Sequence, residues 1–353
     1  MKLGIITPYD SANFGAYLQA YANMQYLRSI GHEVCFIKFR SDEQRKKVFY
    51  PQKKSIKAQL RQKLRKRHAD ANYEVMTEAL TCFNIVEQKD TCCEGLDGVI
   101  IGSDEVWNVN VKTFRNPIFY GIDKIPSFAY APSMGNADKG DFDSYPELAE
   151  KLKKVHIIGV RDYNTQSIVG EICGEMPDIV CDPTCLLDVS EYPISSQRIV
   201  KEKYMLVYAY SVPVELRKKI KRYAKQRGLK LIAVCMDQSW CDQIIHCTPL
   251  EFCSLIHYAE CVFTTTFHGT IFTLMQHKKC AVYAVSKKLR DLLLWTKMDA
   301  VKIDNEIEYE TLANLLNTKP DYTAYEKYMK ERREASKERY QACLREVYGT
   351  DMQ

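Results

Sequence analysis

The sequence predicts an α/β protein made of two Rossmann-like lobes, each with a parallel β-sheet covered by helices, followed by a C-terminal helix. The chain has 353 residues, which exceeds the size at which a single hydrophobic core usually stops growing. Short apolar runs alternate with helical segments in two blocks, the pattern of parallel sheets with helices on both faces. We therefore predict lobes at 1–190 and 191–320 and a C-terminal helix at 321–353.

The composition is that of a globular protein. Hydrophobic residues make up 46% of the chain and charged residues 27%, close to the averages for globular domains, and the apolar runs are too short to cross a bilayer. The fourteen cysteines lie mostly in apolar stretches, and none forms a C-x-x-C pair. This usage favours reduced thiols in the cytoplasm over a zinc site, and no cofactor is indicated.

The first lobe is predicted to start with a βαβ unit. Gly4–Thr7 has the apolar character of a buried strand, Ala16–Ser29 has apolar residues at helical spacing, and Val34–Phe39 is the second strand. Parallel strands joined in this way require a right-handed crossover. The remaining predicted elements of this lobe are a helix at Tyr73–Val86, strands at Gly98–Gly102, Ser127–Tyr130, His156–Val160 and Ile179–Val180, and a helix at Tyr145–Lys154.

The second lobe continues the alternation after a polar linker at Val189–Lys203. Strands and helices are predicted in turn at Tyr204–Tyr210, Pro213–Gln226, Leu231–Met236, Pro249–Ala259, Cys261–Thr265, Gly269–Gln276 and Ala281–Val285. The charged, tyrosine-rich segment Asp321–Val347 predicts one long helix. We expect this helix to pack back across the hinge between the lobes.

An insertion at 41–70 is strongly basic. Residues 45–68 contain eleven Lys and Arg residues and no Asp or Glu, with three aliphatic residues at four-residue spacing, Ile56, Leu60 and Leu64. Two interpretations stay open: a helix lying on anionic lipid at the inner face of a membrane, or a solvated insertion. Nucleic acid is a poorer interpretation, because no binding motif is present and the net charge is only +5.

Three strand-to-helix loops are candidates for a ligand site, because ligands of open α/β sheets bind beyond the carboxyl ends of the strands. The first, Thr7–Gly15, ends in Asn13 and Gly15. Glycine permits close backbone approach, and the helix N-terminus offers unpaired N–H groups to an anion or a sugar oxygen. An ordinary connection with a capping Asn13 explains the pattern equally well. The absence of G-x-G-x-x-G argues against a dinucleotide.

The second loop, Gly102–Trp107, places acids and an indole directly after a buried strand. Asp104 is a candidate for holding or deprotonating a sugar hydroxyl, and its alternative role is a helix cap. Trp107 is suited either to stacking on a sugar ring or to filling the core. For Trp107 the core position is favoured, because large aromatic side chains are mostly buried.

The third loop, Thr264–Thr270, contains the histidine with the best case for a function. Histidine can act as a general acid or base near neutral pH. His268 follows a strand and lies among Thr266, Gly269 and Thr270 at a helix N-terminus, which suits a bound carboxylate or phosphate. The alternative is a structural histidine.

Several motifs in one order resemble those of polysaccharide pyruvyl transferases. They span about Lys2 to Asp291, most of the chain. Each is weak alone, and their order makes the resemblance specific. One departure is Thr266, where many relatives have serine, which preserves the hydroxyl. The matching stretches are Lys2–Thr7, Asn13–Tyr21, Gly102–Asn108, Phe128–Gly135, Val160–Asp162, Cys181–Thr184, Ala259–Val262 and Thr266–Thr270.

The resemblance implies a GT-B-like fold, with the first lobe on the acceptor side and the second on the donor side. It implies phosphoenolpyruvate as donor and a glycan, often lipid-linked, as acceptor, which are joined as a pyruvate ketal. Ketal formation needs a proton donor for the methylene carbon and cations for the two anionic groups. His268 is then expected to be the catalytic acid, Asp104 an acid of the cleft and Arg161 a ligand of the donor.

Further residues are expected to contact the substrates. Arg290 is a second candidate cation, whose alternative is a solvated helix residue. The other expected substrate contacts come from the first and third loops, at Asn13, Gly15, Thr266, Gly269 and Thr270.

Two other functions stay open. A glycosyltransferase that uses a nucleotide sugar can have the same scaffold, because a fold alone does not determine a function. A non-catalytic glycan-binding protein is the second. Asp141-Phe142-Asp143 matches the metal-binding D-x-D of another glycosyltransferase class, but a position in a polar loop away from any strand end favours a solvated turn.

Overall fold

Two six-stranded parallel sheets form the framework of the protein in the computed structural model, which describes residues 1–50, 66–87 and 95–349. The strands of the first sheet are β1 Lys2–Ile6, β2 Glu33–Ile37, β3 Ile85–Val86, β4 Gly98–Ile101, β5 Ser127–Tyr130 and β6 His156–Gly159. Those of the second are β7 Tyr204–Tyr208, β8 Lys230–Val234, β9 Gln243–Ile245, β10 Cys261–Thr264, β11 Cys280–Tyr283 and β12 Lys302–Ile303.

The strand order reverses once in the middle of each sheet. The first sheet has the order β3-β2-β1-β4-β5-β6 and the second β12-β11-β10-β7-β8-β9. The reversal lies between β1 and β4 in one lobe and between β10 and β7 in the other. Crevices for ligands form at such switch points, at the carboxyl ends of the strands. The loops after these four strands are therefore the structural candidates for a site.

Helices connect the strands and cover both sheets. The first lobe has α1 Phe14–Ser29, α2 Asp42–Phe49, α3 Lys66–Ala79, α4 Lys139–Asp143, α5 Pro146–Leu152 and α6 Tyr163–Cys173. The second has α7 Val214–Arg227, α8 Pro249–Tyr258, α9 Phe267–Met275, α10 Lys287–Trp295 and α11 Tyr309–Asn317, and α12 Thr323–Tyr348 follows. This architecture confirms the predicted α/β fold with two Rossmann-like lobes.

Some elements differ from their predicted extent. The helix predicted at Tyr73–Val86 ends at Ala79, and a 3₁₀ turn at Leu80–Cys82 leads into β3 at the edge of the sheet. Ile179–Val180 is not a regular strand, because Ile179 forms only a single bridge with Val160. The edge strands β3, β9 and β12 have two or three residues each. Such short strands carry too few residues for a recognisable hydrophobic pattern.

Helix α1 is buried along almost its whole length because both lobes pack against it. Toward the second lobe, the ring of Phe14 stacks on Tyr208 with centroids 5.8 Å apart and meets Phe252 at 5.3 Å. Toward the first, the amide of Gln19 donates to the hydroxyl of Thr7 at 2.8 Å. These contacts fix the N-terminus of α1 at the boundary between the lobes.

The C-terminal helix α12 contacts both lobes, which confirms that it packs back across the hinge. Just before its start, the hydroxyl of Tyr322 donates to the carbonyl of Lys278 in the second lobe at 2.6 Å. Farther along, Tyr340 stacks on Tyr130 of the first sheet with centroids 4.4 Å apart. The Tyr340 hydroxyl also donates to Oδ1 of Asn23 on α1 at 2.9 Å. The helix therefore ties the two lobes together.

Replacing Tyr340 by alanine is expected to lower the free energy of unfolding by about 3–5 kcal/mol, because it empties a fully buried aromatic site. Tyr340→Phe keeps the ring and loses one hydrogen bond, so a loss of about 1 kcal/mol is expected. Urea denaturation followed by circular dichroism measures both. The control is Glu338→Ala, an exposed position of the same helix. Equal losses for Tyr340→Ala and Glu338→Ala would contradict this account.

Only the flanks of the basic insertion are described. Residues 51–65, which include the predicted apolar stripe, lie outside the described residues. The two flanks contact each other: the guanidinium of Arg45 donates to the hydroxyl of Thr77 at 2.9 Å, and Phe49 meets Tyr73 edge to face at 5.2 Å. These contacts pack α2 against α3. Within the described ranges, no helix has the length and apolar character needed to span a membrane.

Candidate active site between the lobes

Two helix N-termini from opposite lobes face each other at the switch points. Asn13 caps α1 by accepting the N–H of Gly15 at 2.9 Å. Thr266 caps α9 in the same way, because its hydroxyl accepts the N–H of Gly269 at 3.0 Å. Tyr208, at the end of β7, donates its hydroxyl to Oδ1 of Asn13 at 3.3 Å. This bond joins the second lobe to the cap of the first-lobe helix.

His268 lies in the first turn of α9, directly against the first turn of α1. A β-carbon at Gly15 would lie 2.0 Å from Nδ1 of His268 and 2.4 Å from its Cγ. Both distances are far shorter than any ordinary contact, so only glycine fits. The side chain of His268 keeps 7% of its surface exposed. The two helix N-termini therefore meet at this imidazole.

Replacing Gly15 by alanine is expected to lower the free energy of unfolding by about 1–3 kcal/mol, because the new methyl group displaces either the imidazole or α1. Thermal denaturation measures the loss. A matched control is Gly140→Ala in the exposed helix α4, where the nearest atom to the new carbon is 3.2 Å away. If Gly15→Ala is as stable as Gly140→Ala, the described closeness of α1 and His268 is wrong.

Asp182 is the buried carboxylate behind the imidazole. Its Oδ2 lies 3.4 Å from Nε2 of His268. Its Oδ1 accepts the N–H of Thr184 at 3.0 Å and the Thr184 hydroxyl at 2.7 Å. Burial alone would raise the pKa of Asp182, but His268, Arg161 and Thr184 together hold it well below its usual value. An ionised Asp182 can orient the imidazole and offset positive charge on it.

Arg161 joins Asp182 to Asp104 at the centre of the site. Its Nη1 donates to Oδ2 of Asp182 at 3.1 Å, and its Nη2 lies 3.6 Å from Oδ1 of Asp104. The guanidinium also lies over the ring of Phe267, 5.2 Å from the centroid. Burial disfavours its charged form, but the acidic neighbours, chiefly Asp104 and Asp182, outweigh burial and raise the pKa of Arg161. Two carboxylates therefore compensate one buried cation.

The acidic loop after β4 faces the second lobe. Asp104 has a left-handed backbone with φ 71°, and its side chain is 19% exposed. Its carbonyl accepts the N–H of Ser133 at 2.8 Å, which fixes the loop to the end of β5. The next residue, Glu105, accepts from Nζ of Lys288 on α10 at 2.7 Å. This ion pair spans the space between the lobes.

The hydroxyl groups around His268 stabilise the start of α9. Thr270 donates its hydroxyl to the carbonyl of Thr266 at 2.9 Å, and the hydroxyls of Thr264 and Thr266 lie 3.1 Å apart. A β-carbon at Gly269 would lie 2.4 Å from Oγ1 of Thr266. The small residue and the hydroxyls thus hold the turn that carries His268. Direct contact of these groups with a substrate stays a prediction.

Arg290 and Trp107 lie apart from these contacts. Arg290 is exposed, and its Nη1 donates to the carbonyls of Ala284 and Val285 at 3.2 and 2.8 Å. It binds the loop that precedes its own helix, and a role toward the donor stays a prediction. Trp107 is fully buried, with Nε1 donating to the carbonyl of Phe119 at 2.8 Å. This agrees with the core position favoured from the sequence.

The D-x-D segment lies in the short helix α4, not in a polar loop as predicted. Oδ2 of Asp141 accepts the N–H of Asp138 at 2.9 Å and the amide of Asn110 at 2.7 Å. The aspartate therefore completes a capping box. In the described ranges no cysteine forms a disulfide, and no three His, Cys, Asp or Glu side chains are grouped for a metal ion.

Asp182 and Lys288 are two residues of the site that the sequence did not predict. Asp182 follows the apolar run Ile179–Cys181 and precedes Pro183, so its position after a strand-like segment was an available signal. Lys288 lies in a mixed charged helix, a pattern that does not distinguish a solvated lysine from one that spans a cleft. Only the packing of the lobes brings these residues to the site.

Comparisons with known proteins agree with the fold and the motifs. A family model described as polysaccharide pyruvyl transferase matches residues 13–287, which confirms the resemblance seen in the sequence. No curated protein gives a significant match. A putative UDP-N-acetylglucosamine 2-epimerase from Listeria monocytogenes aligns with a TM-score of 0.56 at 10% identity, over 100% of this chain and 98% of the epimerase.

A second solved structure is similar to this chain over nearly the whole length of both proteins. An alpha-glucosyltransferase (AGT) in complex with UDP aligns with a TM-score of 0.52 at 11% identity, over 99% of this chain and 98% of that protein. At such low identity these similarities show the fold alone. They confirm a GT-B-like arrangement of two lobes.

Proposed function

The chain belongs to the polysaccharide pyruvyl transferase family, and from this we propose that it moves the enolpyruvyl unit of phosphoenolpyruvate onto a sugar of a cell-surface or capsular polysaccharide precursor. The product is a pyruvate ketal, and inorganic phosphate is released. The observation that carries the proposal is the position of His268 where the N-termini of α1 and α9 meet, with Asp182 and Arg161 behind it.

The helix N-termini suit the donor. Phosphoenolpyruvate carries a phosphate and a carboxylate, and a helix N-terminus favours anions through its free N–H groups and its dipole. Helix α1 has sixteen residues and α9 has nine. Because Gly15 has no side chain, the first turn of α1 lies directly against the imidazole of His268. We assign the donor's anionic groups to the turns at Asn13–Gly15 and Thr266–Thr270, with Arg161 supplying positive charge.

His268 is proposed as the general acid. It delivers a proton to the methylene carbon of phosphoenolpyruvate, and an oxocarbenium-like centre forms at the neighbouring carbon. A first sugar hydroxyl attacks this centre, and the bond between carbon and the phosphate oxygen then breaks. A second hydroxyl closes the ketal. Of the two protons that the hydroxyls lose, one restores the imidazole and the other leaves with phosphate, so the charges balance.

Asp182 and Asp104 have different roles in this proposal. Asp182 is nearly inaccessible and lies on the Nε2 side of the imidazole, so it orients His268 and does not meet the substrate. Asp104 is partly exposed and lies in the acidic loop that faces the second lobe. In this proposal it accepts a hydrogen bond from an acceptor hydroxyl and takes up its proton transiently, before the proton passes to phosphate. The first lobe then binds the acceptor.

Phosphate release tests the function. The protein is incubated with phosphoenolpyruvate and a panel of lipid-linked and aryl glycosides, and the products are analysed by mass spectrometry. Phosphate together with a pyruvate ketal supports the proposal. A thermal shift with nucleotide sugars but not with phosphoenolpyruvate supports a glycosyltransferase instead. Glycan binding without either reaction supports a non-catalytic protein.

A further inference from the structure

The fourth switch-point loop, after β7, carries an exposed aromatic side chain. Tyr210 is 58% exposed, whereas Tyr204 and Tyr208 of the preceding strand are buried. The loops after β1, β4 and β10 carry the groups already assigned to the site. The loop after β7 belongs to the same crevice by topology, because β7 and β10 flank the switch point of the second sheet.

The backbone of Tyr210 is fixed beside the loop that carries His268. Strands β7 and β10 pair with Tyr208 opposite Thr264, and the N–H of Tyr210 donates to the hydroxyl of Thr265 at 2.9 Å. On the other side, the amide of Gln238 donates to the carbonyl of Tyr210 at 2.8 Å. Tyr210 therefore lies about one strand spacing, roughly 5 Å, from the loop of His268.

The loop of Tyr210 and the acidic loop of the first lobe both connect to His268. Tyr210 is bonded to Thr265 in the loop that carries His268. On the first-lobe side, Arg161 and Asp182 join Asp104 to the imidazole. Burial of the hydroxyl, the thiol of Cys235 and the carboxylates of Asp104 and Glu105, in that order, raise the pKa of Tyr210 to about 12. The side chain thus has acidic groups of the first lobe nearby, and it is still exposed to solvent. At neutral pH the phenol is protonated and can donate a hydrogen bond.

The exposed ring of Tyr210 and the carboxylates of the acidic loop are the two kinds of group that bind a pyranose. A pyranose has a face of polarised C–H bonds and a rim of hydroxyl groups. The face of an aromatic ring carries negative charge density that attracts such C–H bonds, and carboxylates accept hydrogen bonds from hydroxyls. The loops of Tyr210 and Asp104 both open at the switch points of the two sheets, so one sugar ring bound there can contact the aromatic ring and a carboxylate.

We propose that Tyr210 is the stacking platform for the acceptor pyranose, whose hydroxyl groups then point toward Asp104 and the imidazole of His268. This inference rests on the proposed function and adds the position of the acceptor. Tyr210 acts in binding, and the chemical steps stay with His268. The ring, more than the phenolic hydroxyl, supplies the affinity.

The test compares Tyr210→Ala, Tyr210→Phe and the unchanged protein with methyl and aryl hexopyranosides. In the alanine variant, KM for the glycoside is expected to rise about tenfold, the upper value for an aromatic stacking contact. KM for phosphoenolpyruvate is expected to stay unchanged. Tyr210→Phe is expected to stay within about threefold, because one exposed hydrogen bond is a small contribution. Tyr163→Ala, a 60% exposed tyrosine whose ring contacts Trp295, is the control.

Saturation-transfer NMR gives a second readout that needs no turnover. Millimolar glycoside is expected to receive saturation on the protons of one ring face, and this signal is expected to vanish in Tyr210→Ala only. An unchanged glycoside KM in Tyr210→Ala, an equal loss in Tyr210→Phe, or no saturation with any glycoside would overturn the inference. A stacking signal that depends on Tyr210 without phosphate release overturns the proposed function and leaves the sugar platform in place.

Discussion

Replacing His268 by glutamine is expected to lower kcat/KM for ketal formation by about 10²–10⁴-fold, the usual contribution of a positioned general acid. Glutamine can keep a polar contact with Asp182, but its amide N–H is too weak an acid to protonate the methylene carbon. The variant should fold, because the caps at Asn13 and Thr266 do not involve the imidazole. Binding of phosphoenolpyruvate should persist, because the helix N-termini remain.

Phosphate release under single turnover measures this effect, and isothermal titration with phosphoenolpyruvate measures donor binding. His156→Gln is the matched control, since His156 is exposed at the start of β6, the end of the strand opposite the site. The control should keep full activity. A His268→Gln variant that releases phosphate at the rate of the unchanged protein would exclude His268 as the acid.

Replacing Asp182 by alanine is expected to lower the free energy of unfolding by about 3–5 kcal/mol, because it removes one partner of a buried ion pair. Arg161 then keeps its ion pair with the more distant Asp104, and Nε2 of His268 loses the carboxylate 3.4 Å away. Activity should also fall, since the imidazole is no longer held. Asp182→Asn keeps the volume and removes the charge, so it separates packing from electrostatics.

The pH dependence of stability identifies the charge of Asp182. Because its pKa is lower in the folded protein than in the unfolded chain, its ionised form contributes stability above about pH 4 and loses it as the pH falls further. The difference between the unchanged protein and Asp182→Asn should therefore shrink below about pH 4. Asp123→Asn removes an exposed carboxylate 3.4 Å from Lys151 and should cost less than about 1 kcal/mol. If the stability difference between the unchanged protein and Asp182→Asn does not change with pH, Asp182 is not ionised in the folded protein.

Predictions for the fold succeeded where a strand is buried on both faces. β1, β4, β7 and β10 lie in the centres of their sheets, and their apolar character follows from the helices that cover both faces. The short edge strands β3, β9 and β12 escaped prediction, because an edge strand of two or three residues has no periodicity to detect.

The sequence predicted which loops form the candidate site. It did not predict which residues from different loops contact each other. His268 could be selected because a histidine among hydroxyls at a helix N-terminus has a recognisable local pattern. The pairing of Asp182 with His268 could not be predicted, because the two residues lie in different lobes and the local sequence around Asp182 carries no information about His268. Tyr210 likewise lies in a strand-like run, where local sequence does not separate a core tyrosine from an exposed one.

The amino-acid sequence by itself determined the alternation of strands and helices, the division into two lobes and the loops that begin α1 and α9, because these depend on local hydrophobic periodicity and capping. The tertiary structure alone decided that Gly15 lies against the imidazole of His268, that Asp182 and Arg161 lie behind it and that Tyr210 is bonded to the loop of His268. These contacts join residues far apart in the chain, and they exist only because the two sheets are packed with their switch points facing each other.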